Sequence, residues 1–249
     1  MDLGLEGRTA LVTGASKGIG LGIARALAAE GARVAISSRS AERLEAAAEE
    51  IGARPYPHDN ADLDRAGALL EQVQADLGPI EVLVTNTGGP PPGPDPLAFT
   101  REQWEEAHRT LVLAPMALIE GTLPGMRERG FGRIVNVSSS AVVEPIPVLM
   151  LSNTYRSGLL SAFNTLARQV AGDGVTLNTV LPGRILTDRL AETFGSEETA
   201  QHFAREQVPA SRLGTVEEFA AVAAFLCSER ASYVTGTAVR VDGGLTQSV

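Results

Sequence analysis

The stretch Val12-Thr13-Gly14-Ala15-Ser16-Lys17-Gly18-Ile19-Gly20 decides how this chain folds. An apolar run from Thr9 to Val12 enters it, and a helix-forming run from Leu21 to Glu30 leaves it. Glycines spaced G-x-x-x-G-x-G at a strand-to-helix turn let the backbone approach a phosphate closely. The helix that follows presents unpaired N–H groups and a partial positive charge. The residues read as a cradle for a dinucleotide pyrophosphate. A plain glycine-rich turn is the alternative, and the strand-then-helix flanks favour the cradle.

Outward from this loop the chain alternates. Strand candidates are 8–12, 33–37, 54–58, 81–85, 133–137, 176–181 and 238–241. Helix candidates between them are 18–30, 41–51, 62–77, 101–118, 151–171 and 216–228. Strand–helix alternation predicts an α/β fold, a doubly wound parallel sheet of about seven strands with helices on both faces. Ligands of such sheets bind at the carboxyl ends of the strands. The chain reads as a single domain over 1–249, without repeats or an interdomain linker.

Two segments interrupt the rhythm. The 88–96 loop carries Pro90, Pro91, Pro92 and Pro94, which favour stiff extended backbone. It reads as a rigid connection or a pocket wall. The 186–210 segment is polar, helix-prone and weakly patterned, and reads as a substrate lid or a surface excursion.

Bulk composition narrows the partners. The 249 residues are 44% hydrophobic and carry a net charge of −9, with no long basic run. Nucleic acid and anionic membrane are therefore poor partners, and a small-molecule substrate is expected. No apolar run reaches membrane-spanning length, and the first residues lack a basic-then-apolar leader pattern, so the expected compartment is cytoplasmic. The single cysteine, Cys227, reads as a buried thiol. His58 reads as a strand-end residue, His108 and His202 lie in polar helix, and no cluster suggests a metal.

The chain resembles the short-chain dehydrogenase/reductase family along nearly its whole length. The matching marks, in order, are the 13–20 loop, Asp59, Asn86-Thr87-Gly88, Ser138-Ser139-Ser140, Asn178, Pro182-Gly183 with Thr187, and Val241-Asp242-Gly243-Gly244. The overall look is of the 3-oxoacyl-acyl-carrier-protein reductase branch. The resemblance implies a Rossmann-type nucleotide site contacted by Gly14, Ser16, Lys17, Gly18, Ile19, Gly20, Ser38, Arg39, Asp59, Asn60, Asn86, Thr87 and Gly88. It extends to Arg156, Pro182, Gly183, Ile185 and Thr187. Asn86 reads equally as a strand-end staple, and Asp59 as a turn-starting residue. The resemblance also implies a homodimer or homotetramer.

Cofactor choice follows from charge. NAD-binding sheets place an acid at the end of the second strand. Here that end reads Ser37-Ser38-Arg39, and an arginine fork suits a 2′-phosphate, with Lys17 in reach. NADP(H) is therefore expected in preference to NAD(H), with Arg39 capping the next helix as the alternative.

The family's reaction centre is a Ser, a Tyr and a Lys, with an Asn from the preceding helix. Ser139 matches the Ser. Family spacing places Ser152 at the Tyr position, Arg156 at the Lys position and Leu111 at the Asn position. A serine hydroxyl is far too weak an acid to replace a phenol, and arginine does not shuttle protons near neutral pH. Tyr155, three residues after Ser152 on the same helix, is a candidate replacement acid, or else a packed aromatic. Ser139, Tyr155 and Arg156 are thus the candidate catalytic residues. The leading expectation is an NADP(H)-dependent oxidoreductase acting on a carbonyl or alcohol, 3-oxoacyl compounds included. A nucleotide-binding module without turnover is the alternative, and elimination or isomerisation on the same scaffold is a third.

Overall fold

In the computed structural model, which describes residues 1–248, the glycine loop joins strand β1 (Thr9–Thr13) to helix α1 (Gly18–Ala29). Successive side chains of a strand point to opposite faces of its sheet. Ala10 and Val12 of β1 accordingly enter one core, while Leu11 enters another. Strand β4 (Val82–Thr85) divides in the same way, with Val82 and Val84 on the first side and Leu83 on the second. Both faces of the strands are apolar, so the sheet must be covered on both sides.

The covering helices follow from their own apolar stripes. On the first face lie α1, α2 (Ala41–Ile51) and, further along the chain, a helix over Val216–Cys227, through Ile23, Leu27, Leu44 and Phe219. On the second face lie α3 (Ala66–Leu77), a long helix over 101–128 and a helix over Met150–Val170, through Leu69, Val73, Ile119 and Phe163. The sheet is completed by β2 (Arg33–Ser38), β3 (Arg54–Pro57), β5 (Gly132–Val137), β6 (Val175–Pro182) and β7 (Ala238–Val241). All neighbours are parallel, in the order β3-β2-β1-β4-β5-β6-β7. The order reverses between β1 and β4, where the chain leaves the β3 edge and restarts beside β1. Their carboxyl ends, Gly14 and Asn86, stand side by side at this switch point.

One element differs from the sequence expectation. The helix starting at 101 does not stop at 118. It runs as α4 (Arg101–His108), a π-helical stretch at Arg109–Leu113, and α5 (Ala114–Glu128) with Pro124 inside. Buried Leu118, Ile119 and Met126 hold its second half against the sheet, so packing overrides the breakers Gly121, Pro124 and Gly125. The helix-prone 186–210 segment is largely helical. It forms α7 (Asp188–Phe194), capped by Thr187, and α8 (Glu197–Gln207), capped by Ser196. Leu190 and Phe194 of α7 pack against a small core of Ala200, Ala204, Val208 and Leu213. With α6 (Met150–Val170) and α9 (Val216–Cys227) the inventory of labelled helices closes. Among the described residues no helix is long and apolar enough to cross a membrane.

Candidate active site

The cradle at the β1 carboxyl end is built by close backbone approach. Gly14 has φ +59°, and a Cβ placed there would lie 2.6 Å from the Asn86 carbonyl oxygen. A Cβ on Gly20 would lie 2.3 Å from the Gly14 carbonyl oxygen. Side chains are therefore excluded at both positions, and α1 begins tight against β1. No side chain caps the α1 N-terminus, so its first N–H groups remain available to an anion, as the pyrophosphate of a dinucleotide would require. Ser16, Lys17 and Ile19 complete the loop, Lys17 exposed and Ile19 packed at the edge of the first core.

Asn86 staples β4 to this loop. Its Nδ2 donates to Gly14 O at 3.0 Å and its backbone N–H donates to Thr13 Oγ1 at 2.9 Å. Asn60 Nδ2 reaches Asn86 O at 3.5 Å. Asp59 is exposed, and its Oδ1 accepts from Ala61 N at 3.0 Å, the geometry of a turn-starting aspartate. At the β2 end the Ser37 and Ser38 hydroxyls are buried without partners, and Arg39 is exposed beside them. No acid stands at that position.

On the other side of the cleft, Gly183 N donates to Val241 O at 3.0 Å, which ties the Pro182-Gly183 turn to the Val241–Gly244 motif. Partial burial alone would raise the Asp242 carboxyl. Hydrogen bonds from Thr246 and from the Gly244 and Thr246 N–H groups win, and hold it below the usual range. Buried Ile185 bridges to Gly214, and Thr187 stands over the glycine loop, 3.5 Å from where a Gly18 Cβ would be. Lys17 Nζ lies 3.3 Å from Asp188 Oδ2, an exposed pair that links the loop to α7 weakly.

Ser139 follows the β5 end. Its Oγ accepts from Ala141 N at 3.1 Å, which leaves its own O–H free to donate outward. Arg156 on α6 is 8% exposed and ties the strand ends together. It donates to Val137 O at 3.0 Å, to Thr87 O at 3.2 Å and to Ser152 Oγ at 3.1 Å. Burial, and then the charge of Arg189, push its guanidinium down to about 10, so it remains a cation at neutral pH. Leu111 is buried in the π-helical stretch. With Arg156, Asn136 and others it lines a cavity of about 10 Å³, room for little more than one water.

Tyr155 lies on the α6 face turned to α4. Its ring meets Trp104 edge-on at 5.7 Å and His108 at 5.3 Å. Arg189, two residues past Thr187, did not stand out in the polar 186–210 pattern, yet it reaches the site and donates to Gly89 O at 3.1 Å. Position relative to Thr187 was the one signal that could have found it. Among the described residues no cluster of His, Cys, Asp and Glu could hold a metal ion.

A family model described as enoyl-(acyl carrier protein) reductase matches residues 14–246. The chain belongs to the short-chain dehydrogenase/reductase family. It is 34% identical over 260 residues to a 3-oxoacyl-[acyl-carrier-protein] reductase of Aquifex aeolicus, covering 98% of this chain and 100% of that one. Among solved structures, the L-sorbose reductase of Gluconobacter frateurii complexed with NADPH and L-sorbose superposes with a TM-score of 0.93 at 34% identity, covering 100% of both chains. A 3-oxoacyl (acyl-carrier-protein) reductase from Agrobacterium tumefaciens C58 with NADP bound superposes with a TM-score of 0.92 at 30% identity, covering 98% of this chain and 96% of that one. Membership in this family makes the chain an oxidoreductase of the NAD(P)-dependent short-chain type.

Proposed function

We propose that this short-chain dehydrogenase/reductase is an NADP(H)-dependent reductase of carbonyl compounds that works without the family's tyrosine. The β2 end carries the reading: an unpartnered buried Ser38 hydroxyl beside exposed Arg39, with no acid to meet a ribose 2′-hydroxyl. A 2′-phosphate would satisfy the Ser38 hydroxyl and the Arg39 fork together, with Lys17 released from Asp188 as a third contact. The two relatives solved with NADPH and NADP support the same choice.

The cradle over 14–20 and the α1 N-terminus hold the pyrophosphate, Asn86, Thr87 and Gly88 line the sheet side, and Pro182, Gly183, Ile185 and Thr187 close the far side. Asp59 and Asn60 stand at the adenine end. When bound, NADPH supplies a hydride to the substrate's carbonyl carbon. Ser139 donates its free O–H to the carbonyl oxygen as negative charge grows there. Arg156 adds a fixed positive charge just behind the β5 end. The C=O π bond opens as the new C–H bond forms. The oxygen takes its proton from water through the Ser139 hydroxyl, leaving hydroxide to solvent. Ser152, which accepts from Arg156 Nε, orients that guanidinium. Helices α7 and α8 act as the lid, and water exclusion beneath them strengthens each of these interactions.

Substrate screening tests this, with 3-oxoacyl thioesters in the panel. Ser139→Ala should lower turnover by about 10²-fold while NADPH affinity holds. Unchanged turnover removes Ser139 from the mechanism. Tyr155→Phe in the same assay should match wild type, because its ring is engaged with Trp104 and His108. A large loss would return the phenol to the reaction as the acid. The second reading, an NADP(H)-binding module without turnover, draws on Arg156 being committed to strand-end carbonyls; tight binding with no turnover across the panel would establish it.

A further inference from the structure

Two arginines from different elements converge on one turn. Arg189 of α7 donates to Gly89 O at 3.1 Å, and Arg156 of α6 donates to Thr87 O at 3.2 Å. A Cβ on Gly89 would lie 2.9 Å from one Arg189 nitrogen and 3.7 Å from one Arg156 nitrogen. The two guanidinium groups therefore flank a single residue at the β4 carboxyl end. Their charges repel, and Arg189 adds to the burial that depresses Arg156. Among the described residues neither has a carboxylate within salt-bridge distance. The chain has acids to supply, with 30 Asp and Glu against 21 Lys and Arg, yet none is placed here.

An anion accepting from both arginines would offset that repulsion. The phosphates of the nucleotide have their own donors: the α1 N-terminus, Lys17 and Arg39. The arginine pair stands further along the same cleft, at the turn that follows β4 and beside Thr87. Arg156 also bonds Val137 O, two residues before Ser139. Arg156 uses three of its five N–H groups on the protein, and Arg189 donates once, so donors remain for a ligand.

We propose that Arg156 and Arg189 bind the carboxylate of the substrate, which is an oxo acid carrying its reducible carbonyl beside that carboxylate. A carboxylate can accept from two guanidinium groups at once, and its charge would draw α7 onto the β4–α4 loop. This rests on the reductase reading above.

Benzoate and benzamide, alike in shape and different in charge, serve as probes by calorimetry, on the free protein and on protein saturated with NADPH. Benzoate should bind about tenfold or more tightly than benzamide in the presence of NADPH. Arg189→Gln, on an exposed side chain, should abolish that preference while NADPH affinity and melting temperature hold, and Arg189→Lys should restore part of it. Equal binding of the two probes, or an undiminished preference in Arg189→Gln, overturns the proposal. Competition between benzoate and NADPH overturns it too, by giving the pair to the nucleotide's phosphates. If NADPH fails to bind at all, the reductase reading fails, while the benzoate preference on the free protein still decides whether the pair is an anion site.

Discussion

Arg156 is the residue we propose at the family's lysine position. Its long planar group reaches the Val137 and Thr87 carbonyls and the Ser152 hydroxyl at once. It keeps the positive charge and forgoes proton transfer. Family spacing is the basis on which Ser139, Ser152, Arg156 and Leu111 are proposed for the reaction centre. It could not say where Tyr155 points, because Trp104 and His108 come from a helix about fifty residues earlier and meet it only in the folded chain. Cys227 was legible from its apolar setting, and burial pushes its thiol up to about 12.

His58 supplies a residue-scale test of pH dependence. Burial, the largest influence, holds its folded pKa below the unfolded value of about 6.5, against the opposing pull of Asp62 and Asp59. Above the unfolded value both states are neutral and the stabilisation is complete. Below it the unfolded chain takes up the proton first, so stability is lost as pH falls toward the depressed folded value. Melting temperatures between pH 7.5 and 5 should therefore fall less steeply in His58→Gln than in wild type. Parallel slopes would mean that His58 is already free to protonate in the folded chain.

At the scale of elements, the glycine loop was legible because its chemistry is local. Positive φ at Gly14, the approach of Gly20 to Gly14 O and an uncapped helix start all lie within the loop, whereas the approach of Gly14 to Asn86 comes only with the fold. Gly20→Ala should accordingly abolish nucleotide binding while far-UV dichroism stays native, since a methyl group 2.3 Å from Gly14 O must push α1 off the cradle. Retained NADPH affinity in that variant would show that the cradle tolerates such a shift. The α4–α5 helix was harder to read. Gly121, Pro124 and Gly125 are breakers by local rules, and the sheet contacts that override them are distant in sequence. In the helix-prone 186–210 segment the buried face is one sparse stripe, Ala200, Ala204 and Val208, in a polar background.

The whole molecule sets these pieces at one edge. Apolar runs on both faces of the strands required two helical layers, and that much was readable. A doubly wound sheet, and with it a reversal of strand order, was expected from the strand–helix alternation; that β1 and β4 flank the reversal was not, because strand pairing depends on contacts the linear pattern does not carry. That reversal brings the glycine loop, Asn86, Ser139 and the two arginines around one cleft. We propose that the protein works as a homodimer or homotetramer, with α4–α5 and α6 pairing across a two-fold axis. Light scattering at micromolar concentration should give two or four times the chain mass, and a monomer would contradict this.

The central claim is that the cradle and the β2 end hold NADP(H). Titration of the purified protein with NADPH and with NADH, followed by nicotinamide fluorescence, tests it most directly. The account predicts saturable NADPH binding at least tenfold tighter than NADH, roughly the 1.4 kcal/mol expected of charge-assisted contacts to a 2′-phosphate. Equal affinities would contradict the role of Ser38 and Arg39, and binding of neither would contradict the reductase itself.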